Sequence, residues 1–211
     1  MNELNTLIRK AHSVLNENRN AKYEITDETH PRFRHLRRIR ALRDIPRYKV
    51  RAGDLGGYVE SEKNLSHDGD AWIDDEAVVY EDARVYEWSL VEEQARVFGN
   101  AQVYYAAKIT GDAEVSGDAE VFGFARIGHD ARIRGKAKIF DKARVYNSAE
   151  VSGDAEISGK AEVYENARVG GRAQVTDGAS VAGFVEVFGN IKLTDFMRVY
   201  DDETLARKTG S

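Results

Sequence analysis

The sequence predicts an all-β chain wound into a parallel β-helix, and three observations carry that prediction. Alanine recurs at every sixth position from Ala71 to Ala179, with Ser89 the one substitute, and Val185, Ile191 and Met197 complete the series. Two places after each lies an aliphatic residue, from Ile73 and Val79 to Leu193 and Val199, at all twenty-two steps without a slip of register. Two places further on stands a turn former in most hexads, among them Gly99, Gly111, Gly117, Gly135, Asp141, Asn147 and Gly171.

Each hexad reads as small, polar, aliphatic, variable, turn, polar. In an extended backbone the small and aliphatic positions point to one side and the polar residue between them to the other. The hexad is therefore a very short strand with an apolar inner face, ending at a corner where Gly, Asn or Asp accepts positive φ. The β-branched column and the regular glycines disfavour a helix. Three such strands make an eighteen-residue coil, and each coil hydrogen-bonds to the next. Twenty-two hexads give slightly more than seven coils, a prism on the order of 35 Å long at roughly 4.8 Å per coil. Burial comes entirely from neighbouring repeats, so both ends need covers.

The 211 residues, 42% hydrophobic and 32% charged, suit one soluble domain with a small appendage. There is no cysteine, which excludes disulfides, thiolate metal sites and a cysteine nucleophile. No apolar run approaches a membrane span and no signal-peptide pattern opens the chain, so a location in the bacterial cytoplasm and no membrane partner are expected. The net charge of -5 is unevenly placed. Nine Lys/Arg and one acid, Asp44, lie between Pro31 and Arg51, so this stretch carries +8 and the remainder -13.

Four segments follow. Residues 1–50 form an N-terminal module: Leu4, Leu7, Ile8, Ala11, Val14 and Leu15 are spaced as one face of an amphipathic helix, and Lys22 to Thr26 and Arg37 to Arg43 read as short strands. Residues 51–70 are a lead-in and capping segment, 71–202 the β-helix, and 203–211 a C-terminal cap or tail.

Steps of eighteen show what each face presents. One face alternates in sign: Arg96, Glu114, Arg132, Glu150, Arg168, Glu186. A second reads Arg84, Gln102, Glu120, Lys138, Glu156, Gln174, Lys192 and is also largely self-complementary. Both are expected to be structural ladders. The third stacks like charges, Lys108, Arg126 and Arg144, before Glu162, Ser180 and Arg198; such a row is either a binding surface for something anionic or is solvated and paired diagonally. Tyr86, Tyr104, Phe122 and Phe140 line one corner as an aromatic ladder, expected to pack on itself.

The uninterrupted Ala-x-Val/Ile-x-Gly-Asp/Asn hexads resemble the hexapeptide-repeat proteins. Val50 to Glu60 (Val-Arg-Ala-Gly-Asp-Leu-Gly-Gly-Tyr-Val-Glu), Asn64-Leu65-Ser66 and Gly69 to Ile73 are similar to the lead-in of YdcK-like proteins of enterobacteria, phages and prophages. The resemblance spans about residues 37 to 200. It implies a left-handed parallel β-helix of the trimeric hexapeptide-repeat type, and a short phage or prophage form. One departure stands out: Tyr86, Phe98, Tyr104, Phe122, Phe140, Tyr146 and Tyr164 follow the aliphatic residue where those families favour small or acidic residues.

Many hexapeptide-repeat proteins are acyltransferases that use a histidine as general base at a subunit boundary. The hexads here hold one histidine, His129, at a corner and with no loop interrupting the series. A general base needs a positioned partner in a concave, water-poor site, and the corner of a smooth prism offers neither. His12, His30, His35 and His67 lack metal-ligand spacing, and no phosphate loop or nucleophile elbow is present. No metal and no cofactor are expected. The leading expectation is a non-catalytic binding or scaffold protein, in the manner of an accessory anti-defence or regulatory factor. It would engage a host or phage protein through Arg32, Arg34, Arg37, Arg38, Arg40, Lys108, Arg126 and Arg144. Two alternatives stay open: an acyl-CoA-dependent transferase with His129 as base, and nucleic-acid binding through the N-terminal arginines. A homodimer or homotrimer fits each of them.

Overall fold

A computed structural model describes residues 21–200 and the backbone of Thr204–Ala206. The expected helix over Asn2 to Glu17 and the end of the tail lie outside the described residues. Within them the chain is a parallel β-solenoid of about eight coils, one more than the repeat arithmetic gives. Three sheets of two-residue rungs form the sides, and from Ile73 onward each rung pairs with the rung eighteen residues away, as Val115 does with Val97 and Ile133. No described helix is long and apolar enough to cross a membrane.

The extra coil comes from the lead-in. Strand β3 (Leu55–Val59) pairs in parallel with Val78–Val79, and Leu65 bridges Val85, so residues 55–73 already make one turn of the solenoid. That coil is longer than the others: Val59 pairs with Val79 and Leu65 with Val85, twenty residues apart, whereas Ile73 pairs with Val91. Two additional residues sit at the corner before Ala71, which is why the six-residue register cannot be extended backwards past that alanine.

Gly56 lets this first coil close tightly on its own end. A Cβ there would stand 2.5 Å from the Ile73 carbonyl oxygen and 2.6 Å from the Trp72 ring. Strands β1 (Tyr23–Thr29) and β2 (Arg37–Ala41) form an antiparallel hairpin that adds to β3 and extends one sheet beyond the solenoid. Ile39 and Ala41 of β2 are buried on the core side. Lys22, Tyr23 and His67 fasten the hairpin. Lys22 N–H donates to His67 Nδ1 at 3.1 Å, the two rings of Tyr23 and His67 stack at 4.3 Å, and Tyr23 donates to the Leu65 carbonyl at 2.8 Å.

The interior is the alternating column the hexads predict. Ala113, Val115, Ala131 and Ile133 have no exposed surface, and their equivalents through Val187 are at most 1% exposed. Each buried aliphatic contributes about 1.5–3 kcal/mol before ordering entropy is subtracted, so stability accumulates along the axis.

Among the described residues every corner residue of the turn column is left-handed. One corner stacks Gly99, Gly117, Gly135, Gly153, Gly171 and Gly189, and a Cβ on Gly117 would lie 2.9 Å from the backbone nitrogen of Gly135. The other two corners also admit Glu, Asp, Asn, Tyr and His at positive φ. The aromatic residues that depart from the hexapeptide pattern stack on one another coil by coil. Tyr86, Tyr104, Phe122 and Phe140 do so with centroids 4.9 to 5.0 Å apart, and Tyr146 with Tyr164 at 5.0 Å.

Candidate functional site

Eight basic residues were singled out by sequence, and the fold separates them. Arg37, Arg38 and Arg40 lie on β2 and face acids. Arg37 is 3.9 Å from Asp27, Arg40 3.1 Å from Glu24, and Arg38 3.0 Å from Glu28 and 2.5 Å from Glu76. The Arg38 guanidinium also lies over the Tyr58 ring at 4.5 Å. These pairs join the hairpin strands to each other and to the solenoid.

Arg32 and Arg34 are exposed on the hairpin loop. His30 shapes that loop: its Nδ1 accepts the N–H groups of Arg32 and Phe33, both at 3.1 Å. Burial lowers the His30 pKa, which suits a neutral imidazole with a free acceptor nitrogen. Phe33 stacks on Tyr80, so the loop lies against the arginine–glutamate face. There Arg32 shares a groove of about 430 Å³ with Arg96, Glu76, Asp112 and Glu114.

The arginine–glutamate face is a paired ladder. Arg96 pairs with Glu114, Arg132 with Glu150 at 3.9 Å, and Arg168 with Glu186 at 3.4 Å. On the second face Lys138 meets Glu120 at 3.0 Å and Gln174 donates to Glu156 at 3.0 Å. Exposed pairs of this kind contribute only tenths of a kcal/mol, about enough to favour one register.

The third face behaves differently. Its first two outward residues, Trp72 and Leu90, are buried with Ile45 and Val50 of the N-terminal module. Where that cover ends, Lys108, Arg126 and Arg144 follow one another at successive rungs. Lys108 reaches back to Glu92 at 2.6 Å and Arg144 forward to Glu162 at 3.4 Å. Among the described residues Arg126, between two cations, has no ion-pair partner.

Beside this row runs a groove of about 380 Å³ lined by Lys108, Thr110, Arg126, Ile127, Gly128, His129, Arg144 and Tyr146. Gly128 opens it, because the column Thr110, Gly128, Tyr146 loses its side chain at the middle coil. Thr110 Oγ1, at 3.1 Å, is the one atom within 4 Å of where a Gly128 Cβ would be. The groove therefore brings the third-face cations together with His129, which sequence reasoning had placed in separate hypotheses.

His129 sits at φ 55 on an exposed corner with its ring 6.5 Å from that of Tyr146. Among the described residues no hydrogen bond orients its imidazole, so it lacks the partner that a general base requires. No cluster of three or more His, Asp or Glu among the described residues is placed to hold a metal ion. What the arrangement can do chemically is present three adjacent positive charges, two of them partly neutralised at the ends and one free in the middle.

Two features escaped the sequence reading. The Thr110, Gly128, Tyr146 column is visible only when the residue after the aliphatic is stepped by eighteen as well. The second is that several acidic corner residues accept a backbone N–H from the next coil. Glu93 takes Gly111 at 2.7 Å, Glu81 takes Gly99 at 2.8 Å and Glu165 takes Gly183 at 2.7 Å. The chain matches no family model and no curated protein.

Proposed function

We propose that the chain is a non-catalytic β-solenoid binding module that holds an anionic macromolecule against its third face. The observation that carries this is the stack of Lys108, Arg126 and Arg144 around a groove, on a solenoid whose other two faces are largely self-complementary in charge. Two unit charges about 4 Å apart repel by roughly 1 kcal/mol even in water, and the fold does not need the arrangement, since alternation was available at the same positions. A bound anion turns that repulsion into attraction.

The hexad pattern and the lead-in Leu55-Gly56-Gly57-Tyr58-Val59 support a left-handed hexapeptide-repeat winding of YdcK-like type. They also support a phage or prophage origin and a role in the bacterial cytoplasm as an accessory factor. The test is retention on an anionic matrix across a salt series. The protein should elute markedly later than the variant in which Lys108, Arg126 and Arg144 are all glutamine. Identical elution would remove the basis of the reading.

An acyltransferase with His129 as base is the second reading, favoured by the position of that histidine on the groove. Calorimetric titration with acetyl-CoA separates the two: micromolar affinity lost in His129→Ala would replace the binding-module reading.

A further inference from the structure

The groove has a neighbour that an ionic surface alone does not explain. Phe124 lies two residues before Arg126, at the edge of the same face, and is 63% exposed. Among the described residues Phe124 stacks on no ring, nor do the exposed Trp88, Phe184 and Phe196; of these four, Phe124 is the one from which the chain continues directly into the cation row. One coil on from it is Lys142, exposed and, among the described residues, without an ion-pair partner. On the other side of Arg126 the groove is walled by Tyr146. An unpartnered ring, a hollow and four cations thus lie within three coils, and Glu92 and Glu162 bound the patch at its two ends.

We infer that the anionic ligand of this groove is a single-stranded nucleic acid, with a base on the Phe124 ring and phosphates along Lys108, Arg126, Lys142 and Arg144. The inference rests on the binding-module reading and narrows its ligand. Unpaired bases stack on aromatic side chains whatever their sequence, while a basic row follows the backbone. A duplex hides its base faces and is read by elements that enter a groove, which the flat side of a prism cannot do. An acidic peptide would use the cations but gives no reason for an exposed phenylalanine beside them. The cation row runs parallel to the solenoid axis at roughly 4.8 Å per coil, as a linear polyanion requires.

The test is fluorescence anisotropy with labelled dT12, a 12-base-pair duplex and polyglutamate, titrated with the whole chain and two variants at several salt concentrations. The expected result is binding of dT12 with a log–log salt slope near -3, about 0.7 for each of four phosphates. Phe124→Ala should weaken it by roughly 5- to 150-fold, the equivalent of one stacked base, and Phe124→Tyr should restore most of it. Phe124 is a surface residue, and unchanged melting of Phe124→Ala confirms that the loss is local. Binding of dT12 that ignores Phe124→Ala, or equal affinity for the duplex, overturns the inference. Polyglutamate bound with dT12 unbound overturns it too but leaves the binding module standing. Failure of all three probes removes both.

Discussion

The ammonium of Lys22 is fully buried and donates to the carbonyl oxygen of Ala71 at 2.7 Å, tying the start of the hairpin to the first alanine of the repeat. Burial, aided by the nearby Arg43 charge and opposed by Asp70 and Asp68, lowers its pKa to about 7. Between that value and the ordinary lysine value of 10.5 the unfolded chain carries a proton that the folded one lacks. Stability therefore rises with pH across this window, at up to about 1.4 kcal/mol per pH unit.

Tyr23 works in the opposite sense. Burial and the Glu62 charge raise its pKa well above 10.0, so above that pH the unfolded tyrosine ionises while the folded one does not, and stability falls. Urea midpoints should climb from pH 7 to about pH 10 and decline beyond it. Lys22→Met should flatten the climb and leave the decline in place. A wild-type profile that is level from pH 7 to 10 would contradict the assigned environment of the lysine.

Glu93 illustrates how the corners tolerate residues other than glycine. Its backbone is left-handed at φ 62, a strain that its carboxylate offsets by accepting the Gly111 N–H at 2.7 Å. Glu93→Ala keeps the strain and loses the bond, and is expected to cost about 1–2 kcal/mol. Glu93→Gly loses the bond but relieves the strain and should be milder. Chemical denaturation of the two variants reads the difference, and an alanine variant no worse than the glycine one would show that the carboxylate contributes nothing.

Most of the fold was legible because one constraint repeats. An inner column of alanine and valine fixes which way each residue points, and the lockstep of twenty-two hexads fixes which rungs are neighbours. The first coil was not legible. The two residues inserted before Ala71 break the period, and Gly56 and Tyr58 resemble a cap until the pairing with Val78–Val79 is known. For the site, the row Lys108, Arg126, Arg144 followed directly from the eighteen-residue step. Whether Arg37, Arg38 and Arg40 were free or paired did not, because their partners Asp27, Glu28 and Glu24 depend on the register of a hairpin with an irregular pairing. Phe124 was passed over because it precedes its rung and does not belong to the aromatic column beside it.

Two glycines of similar appearance in the sequence should respond differently to a methyl group. Gly117 has φ +71 and a backbone nitrogen 2.9 Å from the would-be Cβ, whereas Gly128 has an ordinary φ and meets only the Thr110 hydroxyl at 3.1 Å. Gly117→Ala is expected to cost about 2 kcal/mol or more, the left-handed strain plus the shift of a neighbouring coil. Gly128→Ala should change thermal stability little. Equal losses in a melting comparison would mean that the stacked glycine corner is not the constraint described.

Arg126→Glu provides the sharpest separation of fold from function. In the native chain Arg126 pairs at its rung with Lys108 on one side and Arg144 on the other. A glutamate there replaces two repulsions with two attractions, each worth a few tenths of a kcal/mol at an exposed position. The variant should therefore be more stable than the wild type by about 0.5–1 kcal/mol in low salt, and the gain should shrink as salt screens it. It should also lose retention on an anionic matrix. Surfaces that sacrifice stability for binding respond in this way, because the ligand supplies the missing charge. If Arg126→Glu instead lowers the melting temperature in low salt, the row is not under electrostatic strain, and the argument that it awaits an anion fails with it.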